Sequence, residues 1–270
     1  MRQPTTAQQG HWSASYAATP GFFGEEPSQF ARCALDRFRR EQATTVLELG
    51  SGQGRDTLWF AAQGLQVTAL DYSAQALREL TEEARRRGLG DRIAARLHDA
   101  RQPLPYPDGA FDACYSHMLL CMELTEAEIA FALGEIHRVL KPGGLALYSV
   151  RSDHDKHYRA GTHLGEDVYE VGEFVVHFFS EAKIRRLARG YRVLAIDRME
   201  EGRLPRDLYG VTLRQDPDTV PLQPPEEEGM LRPMDKFQEF FDATHQSQAL
   251  DGRTKGLLFV AASLAGGCEL

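Results

Sequence analysis

The chain reads as a doubly wound α/β protein, a mostly parallel sheet with helices on both faces. Three features carry that reading. Short apolar strand patterns alternate with helical ones between residues 44 and 150, and each parallel pair needs a crossover that lands on a sheet face. The first strand pattern runs directly into a glycine-rich turn, Gly50-Ser-Gly-Gln-Gly54. Acids, Asp71 and Asp99, follow the second and third strand patterns, at the strand ends where ligands bind in open sheets.

Ser28 is placed to cap a helix whose Phe30, Ala34, Leu35 and Phe38 share one face. Residues 45–49 form the first strand; a helix through Leu58, Phe60 and Ala61 follows the turn, then a strand at 66–70. Ser73 caps the next helix, with Leu77, Leu80 and Ala84 as its buried stripe, and strands at 93–97 and 111–115 come after it. Thr125 and Glu128 make a capping box ahead of Ile129, Leu133, Ile136 and Leu140. Pro142 is expected to stop that helix, and Gly143-Gly144 to turn the chain into a strand at 145–150.

Residues 151–173 are polar, rich in His, Tyr and Gly, and too irregular for a packed element. A short strand at 174–178, a helix capped by Ser180, and long strands at 193–199 and 208–213 complete this part. Consecutive strands with no helix between them pair antiparallel, here at the sheet edge. Residues 215–233, dense in Pro, Asp and Glu, read as a linker, and 234–270 as a helical appendage. The expected α/β domain is therefore 1–214, with 1–43 as an N-terminal lid and helix.

Composition narrows the class. Of 270 residues, 42% are hydrophobic and 26% charged, and the formal net charge is -8. That is a globular balance, and it argues against a broad basic surface for nucleic acid. The run Arg85-Arg86-Arg87 reads as a solvated helix C-terminus ended by Gly88. No apolar stretch is long enough to span a bilayer, and the first residues lack a signal-peptide core. Cys33, Cys114, Cys121 and Cys268 form no C-x-x-C pair, which fits a reducing cytoplasm without a disulfide framework or zinc knuckle.

Gly50, Gly52 and Gly54 let backbone approach a ligand closely. By itself the spacing is shared with dinucleotide-binding turns. At its position Asp71 accepts from ribose hydroxyls; a carboxylate at Asp99 suits an adenine amino group, and the Ala100 amide a ring nitrogen.

Taken in order, Glu48-Leu-Gly-Ser-Gly-Gln-Gly-Arg-Asp56, Leu70-Asp-Tyr-Ser73, His98-Asp-Ala100, Phe111-Asp-Ala-Cys-Tyr-Ser116 and Leu140-Lys-Pro-Gly-Gly144 resemble the motifs of class I S-adenosylmethionine-dependent methyltransferases. The resemblance covers about residues 44–150. It implies a Rossmann-like, seven-stranded, mostly parallel sheet with an antiparallel edge strand. It implies S-adenosyl-L-methionine as cofactor, with S-adenosyl-L-homocysteine as product. It further implies that Glu48, Gly50, Ser51, Gly52, Gly54 and Asp56 face the methionine portion, and that Asp71 and Tyr72 hold the ribose and flank the adenine. Asp99 and Ala100 would read the adenine edge, and Ser116 and His117 would sit beside the sulfonium and the acceptor. A dinucleotide fingerprint G-x-G-x-x-G would need glycine where Arg55 stands.

Residues 12–28, with Tyr16 and Phe23, resemble the lid of small-molecule methyltransferases, tellurite- and thiol-methylating enzymes among them. Such a lid closes over the cofactor and excludes water. The segment 154–169 leaves the fifth strand at the ligand-binding end, and long irregular loops are commonly functional. Its Tyr158, Glu166, Asp167 and Tyr169 are expected to wall in the acceptor, with His157 and His163 as catalytic candidates beside His117. A metal held by His154, His157 and His163 is the weaker reading, because the spacing matches no rigid ligand pattern, and none is expected. Cys114 and Cys121 are read as buried packing rather than a metalloid-binding pair, and His177 as a satisfied sheet histidine.

Residues 234–268 resemble the opening helices of carboxymuconolactone-decarboxylase-like (AhpD-like) domains, without their C-x-x-C centre. The expected function is methyl transfer to a small-molecule acceptor by a cytoplasmic enzyme that is not membrane-bound, and that forms a homodimer if the C-terminal helices pair. If the acceptor is an alcohol or a protonated amine, a base is needed; if it is a thiolate or selenide, none is. Two other readings stay open: a catalytically silent S-adenosylmethionine-binding sensor or scaffold, and a nucleotide-dependent oxidoreductase.

Overall fold

The computed structural model describes residues 5–19, 21–172, 174–202, 206–219 and 221, all within the first of the chain's two units, Met1–Pro224. The expected tail helices, Cys268 and most of the linker lie outside the described residues.

Chain order is α1 (Thr5–Ala18), α2 (Gln29–Arg40), β1 (Thr45–Leu49), α3 (Arg55–Ala62), β2 (Gln66–Asp71), α4 (Ala74–Arg86), β3 (Ile93–Leu97), β4 (Phe111–His117), α5 (Glu126–Val139) and β5 (Leu140–Ser152). There follow β6 (Thr162–Gly165), β7 (Val168–Val171), β8 (Phe174–Phe179), α6 (Glu181–Leu187), β9 (Tyr191–Glu201) and β10 (Arg206–Gln215). The helix starts are set by local chemistry. Ser28, Ser73 and Ser180 each cap a first turn, and Thr125 with Glu128 forms the full capping box.

β1 to β5 are parallel in the order β3-β2-β1-β4-β5. Alternation along the strands feeds two layers. Val46, Ala113 and Tyr115 pack with Phe30, Phe38 and Phe60 on one face. Leu47, Leu49 and Cys114 pack with Ile129, Leu133 and Ile136 on the other, as period-2 strands between two helical layers require. Because the chain runs outward from β1 to β3 and then returns to β4, the crossovers from β1 and β4 leave on opposite sides. A crevice opens between their C-terminal ends.

β10 pairs antiparallel with β5 and with β9. The antiparallel strand is thus internal, and the edge strand β9 runs parallel to β5. The two closing strands do pair antiparallel at this edge, as expected, with β10 as the antiparallel member. The expected count of seven strands is too low, since ten are described. Two of the ten, β6 and β7, come from the segment read as an irregular loop. Residues 162–171 form the hairpin β6–β7, which pairs through β7 with β8, and β8 joins the end of β5 at Arg151↔Phe178 and Ser152↔Phe179. Two four-residue, largely exposed strands leave little apolar alternation to read. Helix α5 stops at Val139, before Pro142, because β5 already begins at Leu140. The N-terminal segment is the helix α1, whose sequence carries little apolar patterning.

A buried ion pair ties the end of β5 to β10 and β8. Arg151 donates to Asp155 through Nε (3.0 Å) and Nη2 (2.6 Å), and both side chains are nearly sealed from solvent. The Asp155 carboxylate also accepts from the Asp207 backbone N–H at 2.8 Å, and the guanidinium lies 5.5 Å from the Phe178 ring centre. Removing one member of such a pair strands the other charge. We therefore expect Arg151→Met to lower the unfolding free energy by about 3–5 kcal/mol in urea titrations, and Arg151→Met/Asp155→Asn to recover part of the loss.

Candidate functional site

The crevice is a cavity of about 1340 Å³ at the C-terminal ends of β1 to β4. Its floor is the glycine turn. The Gly50 and Ser51 N–H groups donate to the Leu70 carbonyl at 2.8 and 3.1 Å, bending the chain away from β1. Gly52 has φ +53°, and a Cβ there would meet the Tyr16 hydroxyl at 3.0 Å; Gly54 has φ +83°, and a Cβ would meet Leu80 Cδ1 at 2.2 Å. Both positions require glycine. Gly50, Ser51 and Gly52 line the cavity, whereas Gly54 does not; it packs on α4. The Ser51 hydroxyl is buried with no hydrogen-bond partner among the described residues, a polar atom left for a ligand.

Glu48 is buried in the cavity wall and accepts from Thr57 Oγ1 at 2.5 Å. Burial, together with the nearby Asp56 charge, pushes its carboxyl up to about 8. Asp71 is buried and bridges the turn to α4, accepting from Gly52 N–H and Ser73 N–H at 2.8 Å each. Burial raises its pKa against these bonds. Tyr72, Asp99 and Ala100 line the same cavity. Arg101 holds the Asp99 carboxylate through its backbone N–H (3.0 Å), Nε (2.8 Å) and Nη2 (2.5 Å). Burial opposes ionisation of Asp99, but these bonds keep it below the usual carboxylate range.

Asp56 lines the cavity but is engaged structurally, accepting from Ser28 N–H (2.8 Å), Ser28 Oγ (2.7 Å), Tyr115 Oη (2.8 Å) and Arg55 Nε (3.1 Å). Ser116 is buried with its hydroxyl on the Leu49 carbonyl at 3.1 Å, outside the lining. It supports the turn from below.

The roof comes from α1 and the following loop. Trp12 stacks on Tyr16 with ring centres 5.7 Å apart, and Phe23 lies 6.1 Å from Trp12. Tyr16, Phe23 and Trp12 all line the cavity. Gln53 ties the roof to the turn, donating to the Tyr16 and Thr19 carbonyls and to Glu79.

His117 lies at the end of β4. Its Nδ1 is 2.7 Å from Ser149 Oγ and its Nε2 3.5 Å from Glu201 Oε1. Arg55 Nη2 is 3.6 Å from the same Glu201 oxygen. Glu201 and Arg206, which also line the cavity, were missed in the sequence because the ends of β9 and β10 carry no local motif. Arg101 and Gln53, within or beside the quoted motifs, were missed because their partners are set by the fold.

The segment 154–169 falls elsewhere. His157, His163, Tyr158, Glu166, Asp167 and Tyr169 are absent from the cavity lining. The β6–β7 hairpin carries His163 and Tyr169 against each other, with ring centres 4.8 Å apart. Tyr158 donates to Asp167, which pairs with Lys183 at 2.7 Å, and His157 meets Arg151 and Asp155. Glu166 accepts from the Glu126 backbone N–H. Among the described residues, the three histidines weighed for a metal form no group within ligand range. Glu126, Glu166 and His177 do come within ligand range of one another, but the Lys183 ammonium stands 3.2 Å from Glu126 and 2.9 Å from His177 Nε2. His177 is the satisfied sheet histidine expected, with Nδ1 on the Leu124 carbonyl at 2.7 Å. Cys114 and Cys121 are buried in apolar packing, which raises both thiols, Cys121 to about 11.

This fold and crevice match a known class. Residues 46–144, from β1 into β5, match the family described as a methyltransferase domain. A malonyl-[acyl-carrier protein] O-methyltransferase of Erwinia billingiae is 34% identical over 143 residues, 50% of this chain and 47% of the relative. A demethylmenaquinone methyltransferase of Thermus thermophilus is 33% identical over 119 residues, 43% of this chain and 51% of the relative. The chain thus spans about half the length of the curated relatives it matches. The Burkholderia thailandensis 1,6-didemethyltoxoflavin-N1-methyltransferase, solved with 1,6-didemethyltoxoflavin and S-adenosylhomocysteine, shares the fold. The TM-score is 0.62 over 80% of this chain and 92% of that one, at 21% identity. No helix among the described residues is long and apolar enough to cross a membrane.

Glu48 sets a pH signature. Its folded pKa is raised, so its contribution to stability is fully present below the ordinary value of 4.5 and is lost as pH rises to about 8. In melting curves across this window, wild type should lose stability relative to Glu48→Gln, with the difference constant above it. Parallel curves would mean that Glu48 ionises normally.

Proposed function

We propose that this chain transfers a methyl group from S-adenosylmethionine to a small-molecule acceptor. The observation that carries the reading is convergence: Glu48, the Gly50–Gly52 backbone, Asp71, Asp99 and His117 come from four successive strand ends and line one cavity. The residues present fit the cofactor. The turn offers close backbone approach and an unpartnered Ser51 hydroxyl, Glu48 offers a carboxyl to the methionine ammonium, and Asp71 and Asp99 retain lone pairs for the ribose and the adenine edge.

When bound, the cofactor supplies a methyl group already activated on a sulfonium leaving group. The protein's part is to align the acceptor and exclude water. Tyr16, Trp12 and Phe23 roof the cavity; Tyr72 and Arg101 flank the adenine side; His117 and its neighbours form the acceptor end. Acceptors named for the matched relatives differ, a carrier-protein-bound malonyl group and demethylmenaquinone. Acceptor choice is therefore assigned to parts outside the shared segment, chiefly α1 and the β9–β10 ends. A thiol- or tellurite-methylating subtype rests only on the lid sequence.

Three further readings belong to this proposal. The enzyme is cytoplasmic. The tail at 234–270 is a partial AhpD-like domain after a 215–233 linker, and it serves dimerisation. His157, His163, Tyr158, Glu166, Asp167 and Tyr169 act on the acceptor only if the hairpin is displaced toward the cavity.

A nucleotide-dependent oxidoreductase is disfavoured by Arg55, whose side chain stands where a dinucleotide turn needs glycine and is tied to Asp56. Thermal stabilisation by S-adenosylhomocysteine but not by NADH is expected, followed by methyl transfer over an acceptor panel; a silent binder would show the first without the second. Asp99→Ala should weaken S-adenosylhomocysteine by about 1–3 kcal/mol in isothermal titration. Wild-type affinity in that variant would remove Asp99 from the cofactor site.

A further inference from the structure

The acceptor end of the cavity contains a carboxylate that the protein does not fully satisfy. Glu201 lies at the end of β9 in the cavity wall. Its Oε1 faces His117 Nε2 at 3.5 Å and Arg55 Nη2 at 3.6 Å. Its Oε2 is buried with no hydrogen-bond partner among the described residues. A buried carboxylate oxygen without a donor keeps its desolvation cost uncompensated, so a ligand that brings one is favoured there.

The neighbouring groups decide what His117 and Glu201 can each do. Ser149 Oγ already accepts from the Met118 N–H at 3.1 Å, so its hydroxyl proton is free to go to His117 Nδ1. That leaves the histidine proton on Nε2, directed at Glu201 Oε1. Phe30 stacks on the imidazole, ring centres 6.0 Å apart, and holds it in this orientation. Both ring nitrogens are thus engaged, and the unengaged lone pairs belong to Glu201.

The titratable groups packed around Glu201 are His117 on β4, Arg55 and Asp56 on α3, and Arg206 on β10. Burial opposes its ionisation, and Asp56 adds to that, but His117 and Arg55 outweigh them and keep Glu201 below the usual carboxylate range. It is anionic at neutral pH.

We propose that Glu201 is the catalytic residue that contacts the acceptor, and that the acceptor is a nitrogen or oxygen nucleophile carrying its own proton, N–H or O–H. This rests on the methyl-transfer reading above and deepens it. The acceptor donates its N–H or O–H to Glu201 Oε2, which turns the nucleophilic lone pair toward the methyl carbon. As the new N–C or O–C bond forms, the S–C bond breaks with its electron pair left on sulfur. The acceptor proton passes to Glu201 and from there to water. His117 is the positioning residue, fixing the carboxylate through Oε1. A thiolate or selenide is the wrong partner, because it brings no donor and meets a like charge.

The test uses the full chain and two cofactor analogues. Sinefungin carries an ammonium group where the transferable methyl of S-adenosylmethionine stands, so it presents N–H donors and a positive charge toward the acceptor end. S-adenosylhomocysteine presents nothing there. Isothermal titration of wild type should show a preference for sinefungin of about tenfold, the scale of one hydrogen bond to a charged group. Glu201→Gln should abolish that preference while changing S-adenosylhomocysteine affinity by less than about threefold, and Glu201→Asp should retain part of it. An unchanged ratio in Glu201→Gln overturns the assignment even if both ligands bind. Failure of wild type to bind either ligand overturns the underlying methyl-transfer reading, and this proposal with it. In a panel of amines, phenols and thiols, turnover of amines or phenols that falls at least about a hundredfold in Glu201→Gln supports the proposal. Turnover confined to thiols overturns it.

Discussion

The Asp56 carboxylate is the constraint on which the rest of the site depends. It is buried beside an otherwise apolar layer formed by Phe30, Phe60 and Tyr115, where an unpaired charge would be too costly to keep. Ser28, Tyr115 and Arg55 satisfy it, and in doing so they join α2, β4 and α3 at one point. The same Ser28 hydroxyl that donates to Asp56 accepts from Ala31 N–H and caps α2. Local helix chemistry and long-range packing are therefore fixed by one atom. Burial opposes its ionisation, yet Arg55, His117 and Ser28 keep Asp56 ionised.

Arg55 carries that constraint into the cavity. Anchored on Asp56, its guanidinium lies 5.7 Å from the Phe23 ring centre and 3.6 Å from Glu201. One side chain thus connects the glycine turn, the aromatic roof and the acceptor end. The roof is held mostly by ring contacts and by Gln8 and Gln53, interactions that individually contribute about 1 kcal/mol. That is the low-stability end of a structure, where opening for ligand entry belongs.

Much of the molecule was legible from local pattern. The short apolar run at 45–49 marked β1, and the caps at Ser28, Ser73 and Thr125 fell where hydroxyl residues precede apolar stripes. The glycine turn and Asp71 could be placed because a sharp strand-to-helix turn needs positive φ at fixed spacing. The hairpin at 162–171 was not legible, since its short strands are stabilised by pairing with each other and with β8 rather than by their own periodicity. His157 and His163 looked catalytic because histidines after a fifth strand sit near a ligand end. In the fold the hairpin carries His163, and the Arg151–Asp155 pair holds His157, away from the cavity lining.

Chemistry that depends on neighbours in sequence was fixed by the residues themselves: helix caps, strand faces, the backbone freedom of the turn, and the acids that end β2 and β3. Chemistry that depends on which strand ends meet was decided only by the fold. Arg101 pairs with the carboxylate of Asp99, Asp56 is held by Ser28, Tyr115 and Arg55, and Glu201, at the far end of the domain sequence, arrives beside His117 through the β9–β10–β5 pairing. The physical reason is range. A hydrogen bond or a backbone dihedral acts over a few residues of chain, whereas burial and charge pairing act between atoms that only a completed sheet brings within a few ångströms of each other.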